Sequence, residues 1–311
     1  MVSLPVRVQV EAWCFRALGP GTLTSLHPDA GGQMSQLFRF DSESSGPLAL
    51  KVRPGAAGRI RRCQQLQSAV AASGFPCPRP ASGLGVLDSG LVVSAETWLP
   101  GGEMNAEPNA AYASRSAALL ADLMMLLERE TSIGLSPPPP WMHWNPPTGD
   151  LWPRNPVVDS MDQSRVPEQV TFTARAVAKR LAIAPLPVVI GHGDWESQNL
   201  RWKADRPWAV HDWDSLVALP AAAIVGAASG AFGSTATPTL ASVEASQQFI
   251  EAYEHARGIE FSIEEREVAW AASLWPALHN ARGESLFESP PTAVRALSEQ
   301  SRHRLERAGV R

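Results

Sequence analysis

Residues 188–216, VVIGHGDWESQNLRWKADRPWAVHDWDSL, carry more chemical information than any other stretch of this chain. Leu200 to Lys203 and Trp208 to His211 have the composition of two short strands, and the Ala204-Asp205-Arg206-Pro207 segment between them that of a turn. If Lys203 faces Trp208, antiparallel counting sets Asn199 opposite Asp212 at the open end of the hairpin. Two oxygen-bearing side chains then converge. A magnesium ion takes such ligands one or two at a time and completes its shell with water and phosphate oxygens. Asp194 lies five residues before Asn199 in a glycine-containing loop, so its carboxylate can reach the same point, orient a hydroxyl and accept its proton.

Working outward, 311 residues at roughly 150 per domain suggest two structural units. A hydrophobic content of 44% with 11 tryptophans excludes a disordered or fibrous chain. The net charge of -4 leaves no basic footprint for a nucleic-acid backbone. Cys14, Cys63 and Cys77 are too few and scattered for a disulfide framework or a structural zinc site, which fits a reducing cytoplasm. The opening MVSLPVRVQVEAW lacks the features of a secretory signal. The apolar run from Leu216 to Gly233 is rich in Ala and Gly and holds Pro220, a poor bilayer span and a better buried segment. No membrane partner is expected.

The first hundred residues read as a small antiparallel sheet, with strands at Thr22–Leu26, Gln36–Phe40, Leu48–Val52 and Leu91–Ala95 and a helix from Ala57 to Ser73. After Trp98-Leu99-Pro100-Gly101-Gly102 the pattern changes to long helical periodicity, clearest over Ala111–Glu130 and again near Gln169–Ala182. Expected boundaries are therefore 1–98 and 99–311, in an α+β chain. Residues 135–156, with SPPPP, NPP, WPRNP, Trp141, Trp144 and Trp152, predict an irregular covering loop, either a packing spacer or a substrate lid.

The run GHGDWESQN followed by VHDWD resembles the aminoglycoside phosphotransferase and choline-kinase-like family. The likeness extends over about residues 20–230, through the Gly31-Gly32 turn, Lys51 in LALKV, the FPCPRP element and the WLPGG junction. It implies a two-lobed protein-kinase-like fold, a small antiparallel N-terminal lobe and a larger, mainly helical C-terminal lobe. It also implies transfer of the γ-phosphoryl group of ATP or GTP to a hydroxyl of a small molecule: an aminoglycoside, another antibiotic, an amino sugar or an amino alcohol. Asp194 would be the catalytic aspartate, Asn199 and Asp212 the Mg2+ ligands, and His192 a structural residue of the loop. Lys51 would hold the nucleotide phosphates, Gly31 and Gly32 would bring backbone amides to them, and the backbone of Glu96 to Leu99, at Thr97 and Leu99, would meet the base.

Two departures stand out. Family members pair the strand lysine with a glutamate on the next helix, yet RIRRCQQLQSAVAAS has no acid, and the expected position falls near Cys63 or Gln64. Gln64, Gln65 or an acid from elsewhere would have to serve. The segment after Asp214 also lacks the usual GDP-like turn. For the acceptor, Trp195, Glu196, Asp214, Glu267 and Trp270 are candidates for an acidic, aromatic pocket suited to a cationic sugar or amine. The Arg- and Ala-rich, Lys-poor composition fits a GC-rich bacterial genome, where resistance and metabolic kinases both occur. A catalytically silent nucleotide-binding module and a metal-dependent phosphoester hydrolase are the alternative classes.

Overall fold

The computed structural model describes residues 4–25, 35–105 and 107–310. The chain divides into two compact units, residues 1–101 with 209–214, and residues 102–208 with 215–311.

The first unit opens with helix α1 (Leu4–Leu18), followed by strands β1 (Gly21–Ser25), β2 (Gln36–Ser42) and β3 (Gly46–Arg53). Helix α2 (Ala57–Ala72) and strands β4 (Gly85–Val86) and β5 (Val92–Thr97) complete it. The strands form one antiparallel sheet in the order β1-β2-β3-β5-β4. Alternation along the strands explains the core: Phe38 and Phe40 of β2 and Leu48, Leu50 and Val52 of β3 turn to one face. There α1 covers them with Val10, Trp13, Cys14 and Leu18. This helix corrects the sequence reading, which assigned no element before residue 22. Gly85 sits under α1, because a Cβ there would lie 2.3 Å from the Trp13 indole nitrogen. The Gly31-Gly32 turn lies outside the described residues.

In the second unit α3 (Ala110–Leu127) starts at Asn109, whose side chain accepts from the Tyr112 amide. It is long and apolar enough to cross a membrane, but it buries Tyr112, Ala117, Leu120, Ala121 and Leu123 as a core helix does. A single turn, α4 (Pro156–Asp159), and helix α5 (Glu168–Ile183) lead to strand β6 (Val188–His192). Strands β7 (Leu200–Lys203) and β8 (Arg206–Val210) pair as a hairpin, and β9 (Leu216–Pro220) pairs antiparallel with β6. Helices α6 (Ala221–Ala231), α7 (Val243–Arg257), α8 (Ile263–Ala272), α9 (Trp275–Leu286) and α10 (Thr292–Arg307) follow.

The apolar run after Asp214 is therefore a strand and then a buried helix. Gly226 and Gly230 let α6 approach α8 so closely that a Cβ at either would lie 2.1 Å from the carbonyl oxygen of Ala269 or Ser273. A capping box of Ser262 and Glu265 opens α8, and the apolar residues Val268, Ala271, Trp275 and Leu278 are divided between α8 and α9, with Pro276 in the first turn of α9.

Candidate active site

Strand β6 delivers the loop that holds Asp194. Its pairing sets His192 opposite Leu216, and the Gly193 amide donates to the Ser215 carbonyl at 2.7 Å. Glycine is required at 193, since a Cβ would come within 2.8 Å of side-chain carbons of both Met142 and Val217. His192 is buried, and its Nδ1 accepts the backbone N–H of Asp194 at 3.2 Å. That bond makes Nδ1 the unprotonated nitrogen and shapes the turn into Asp194.

Trp195 packs edge-on against His192, with centroids 5.6 Å apart, and its indole N–H donates to the Ser116 carbonyl and hydroxyl of α3. It is 1% exposed. The residue offered to a substrate from sequence is thus an internal anchor of the loop. Ser197 is a second anchor. Its hydroxyl lies 2.9 Å from the Tyr112 hydroxyl and within 3.0 Å of the carbonyls of Asn105 and Phe232. Nothing in the sequence marked it, though a small polar residue inside the GDWESQN run was the available signal.

Asn199 closes the loop onto its own start. Its Nδ2 donates to the Asp194 carboxylate at 2.8 Å and to the Asp194 carbonyl at 2.9 Å, and its backbone amide donates to the Glu196 carbonyl. With the amide hydrogens so committed, the Asn199 group left to a cation is its carbonyl oxygen, a hard donor of the kind Mg2+ prefers. The β7–β8 turn has two residues, Ala204 and Asp205, with Ala204 at φ 52°. Lys203 consequently flanks Arg206, and the register counted from a four-residue turn is displaced. Lys203 still reaches the Trp208 face, 3.1 Å from the ring centroid.

In the first unit Lys51 lies on β3 opposite Ser94 of β5. Its ammonium hydrogen-bonds the Asp212 carboxylate and stands 3.1 Å from an Asp214 oxygen. Burial alone would lower the Lys51 pKa, but the two carboxylates outweigh it and hold it above the ordinary lysine value. Burial likewise favours a protonated Asp214, yet Lys51 and Arg53 keep its carboxyl below the ordinary carboxylate range. Asp212 has a left-handed backbone, φ 59°. For a non-glycine residue such a conformation costs on the order of 1–3 kcal/mol, and it clusters at functional sites. Asp212 carries a carboxylate, a hard oxygen donor of the kind a divalent cation takes.

Glu96 of β5 accepts from Gln67 of α2 at 2.8 Å, and burial pushes its carboxyl above the ordinary value. The Thr97 amide donates to the Arg79 carbonyl, its hydroxyl accepts from the Arg79 amide, and the Trp98 amide donates to Pro47. The backbone where a base was expected is thus partly committed to the fold, while Leu99 follows it as partly exposed chain.

The remaining acceptor candidates are dispersed. Glu196 is 8% exposed and accepts from Gln198. Glu267 is ion-paired with Arg180 at 2.7 Å. Trp270, a candidate for the acceptor pocket, is instead buried, with the guanidinium groups of Arg304 and Arg307 over its ring. Glu267 and Trp270 line one cavity of about 280 Å³ with Gln247, Arg266 and Arg307. The tryptophan-rich loop makes a different cluster. Trp144 and Trp152 pack on Trp275, Arg282 covers Trp152, and burial with the Arg282 charge lowers His279 to about 4. Among the described residues no group of three or more His, Cys, Asp or Glu side chains forms a metal cluster.

A lysine-bearing antiparallel sheet, followed by a helical unit whose strand–loop–hairpin carries Asp194 and Asn199, defines the protein-kinase-like class of phosphotransferase. A profile described as "Phosphotransferase enzyme family" matches residues 25–259, and the chain belongs to that family. Among solved structures it is similar to amicoumacin kinase hAmiN in complex with AMP-PNP, Ca2+ and Ami, with TM-score 0.64 and 9% identity over 97% of this chain and 93% of that one. It is also similar to the wild-type aminoglycoside 2'-phosphotransferase-IIIa GDP complex, with TM-score 0.60 and 12% identity over 97% and 99%. A thermostable mutant of aminoglycoside phosphotransferase APH(4)-Ia with AMP-PNP and hygromycin B gives TM-score 0.62 and 15% identity over 96% and 98%. No curated protein sequence matches the chain.

Proposed function

We propose that the protein moves the γ-phosphoryl group of ATP or GTP to a hydroxyl of a small molecule, with Asp194 as the group that orients the hydroxyl and takes its proton. The observation that carries this reading is the closed loop in which Asn199 holds the Asp194 carboxylate at 2.8 Å while His192, Trp195 and Ser197 anchor the backbone. A positioned carboxylate of this kind needs no histidine partner. The acceptor oxygen bonds to the γ-phosphorus as the bond to the β,γ-bridging oxygen breaks, the nucleoside diphosphate leaves, and the hydroxyl proton passes to Asp194. Lys51 offers its ammonium to the nucleotide phosphates. Asn199 and Asp212 would hold a divalent cation, which when bound neutralises phosphate charge. Most of the acceleration then comes from positioning and fixed charge.

The acids suggested for a cationic pocket are engaged by the protein's own groups, Glu267 by Arg180 and Asp214 by Arg53. That favours an acceptor recognised through rings and hydroxyls as much as through positive charge. The partly exposed Trp152, packed on buried Trp275 and on His279, supports such recognition, since its loop reaches Gly193 through Met142. An ADP-release screen over aminoglycosides, other hydroxylated antibiotics, amino sugars and amino alcohols tests the reading. Acceptor-dependent release supports it. Thermal stabilisation by nucleotide with no release for any acceptor would favour a silent binding module, and phosphate release from monoesters without nucleotide would favour a hydrolase.

A further inference from the structure

Helix α2 presents Arg59, Cys63 and Gln67 four residues apart on one stripe, and none is acidic. The stripe nevertheless meets the lysine cluster. Arg59 donates to the Asp214 carbonyl at 2.6 Å, and Gln67 donates to Glu96. Cys63 is 1% exposed between them, near Arg53, Asp212 and Asp214, with burial pushing its thiol up to about 11. It can neither pair with an ammonium nor replace a carboxylate at neutral pH.

The acid comes instead from the turn after β8. Arg53, two residues from Lys51 on the same face of β3 and 6% exposed, donates Nη2–H to one Asp214 oxygen at 2.8 Å. Its Nε stands 2.5 Å from the other oxygen. Arg53 is itself fixed by the Ser94 hydroxyl at 2.8 Å and the Lys51 carbonyl at 3.0 Å. One hydrogen bond and one close ion-pair approach from the same guanidinium orient the carboxylate as well as neutralising it. Asp214 is thereby held at both carboxylate and carbonyl while one of its oxygens faces the Lys51 ammonium.

We infer that Asp214, clamped by Arg53 and Arg59, is the carboxylate that positions Lys51, the task for which α2 carries no acid. The charge arrangement is inverted: the helix supplies a cation, and the turn after β8 supplies the acid. Asp214 and Arg53 are positioning residues. The inference rests on the reading of Lys51 as a phosphate ligand.

The test is a double-mutant cycle read as ATP affinity in EDTA, with the full-length chain and its thermal unfolding recorded for each variant. Asp214→Asn should weaken metal-free ATP binding by about fivefold or more in the wild-type background and by less than about twofold when Lys51 is already Met. Asp214→Glu, which keeps the charge, should bind within about threefold of wild type. A purely structural Asp214 would lower the melting temperature in both backgrounds without this coupling, and that result overturns the inference. Undiminished or tighter binding by a folded Asp214→Asn variant overturns it too. If Asp214→Asn does not fold, Arg53→Lys replaces it in the same cycle with the same expected pattern, because a lysine cannot make both contacts. A wild-type chain to which ATP does not bind, or whose affinity is unmoved by Lys51→Met, overturns the phosphate role of Lys51 and this inference with it. Loss of coupling alone leaves that role intact.

Discussion

Replacing Asn199 by aspartate tests the geometry of the loop without any substrate. The substitution keeps the side chain's shape but exchanges the amide that donates to Asp194 at 2.8 Å for a second carboxylate. Two unit charges 2.8 Å apart repel by about 6 kcal/mol at an effective dielectric constant near 20, and by about 4 kcal/mol if the groups relax to 4 Å. Solvent reaches the loop, so roughly 2 kcal/mol of net destabilisation is the working figure at pH 8. That corresponds to a fall in melting temperature of about 4–8 °C for a unit of this size. The repulsion raises the carboxyl pKa of the pair in the folded state above its unfolded value. The folded state therefore binds more protons, and the variant loses stability as pH rises through the folded pKa. Circular-dichroism melting of wild type and Asn199→Asp in EDTA from pH 5 to pH 9 measures this. The gap should be small at pH 5 and widen toward pH 8. A gap that does not change with pH would refute the close contact between residues 194 and 199.

Glu96 gives a second pH-dependent outcome. Burial raises its pKa, so the folded state favours the protonated acid, and Glu96→Gln should stabilise the protein at pH 7–8 with the gain vanishing as pH falls to the unfolded carboxyl range. Thermal melts at the two pH values check it, and the glutamine oxygen can still accept from Gln67. Gly193→Ala pushes a methyl into Met142 and Val217, at an expected cost of about 1–3 kcal/mol in denaturant unfolding. Shortening Met142 in the same chain should recover part of that loss. Trp152→Ala should raise the acceptor KM by about tenfold and leave the nucleotide KM within about twofold, if the Trp152 cluster contacts the acceptor.

Much of the scaffold was legible because its signals are local. The strand alternation through Phe38, Phe40, Leu48 and Leu50, the stop at Gly74 after α2 and the Ser262–Glu265 box each declare themselves within a few residues. Helix α1 was missed although Val10, Trp13, Cys14 and Leu18 follow helical spacing, because the β-branched residues of VRVQVEAW mask it. Asp194 and Asn199 stood out as residue types at a fixed interval. What holds them did not, since the Trp195–Ser116 and Ser197–Tyr112 contacts join residues about 80 positions apart, and no periodicity reports such pairs. Trp270 was misjudged for the same reason. Its cover, Arg304 and Arg307, comes from α10. The acid serving Lys51 was invisible from α2 alone because it lies some 160 residues away along the chain.

If Asp194 takes the acceptor proton, Asp194→Asn separates nucleotide binding from phosphoryl transfer. Once the screen has identified an acceptor, the variant should keep the wild-type thermal shift with nucleotide while its acceptor-dependent ADP release falls by about 10²–10⁴-fold. A variant that still binds nucleotide and releases ADP at the wild-type rate with that acceptor would show that Asp194 is not the base.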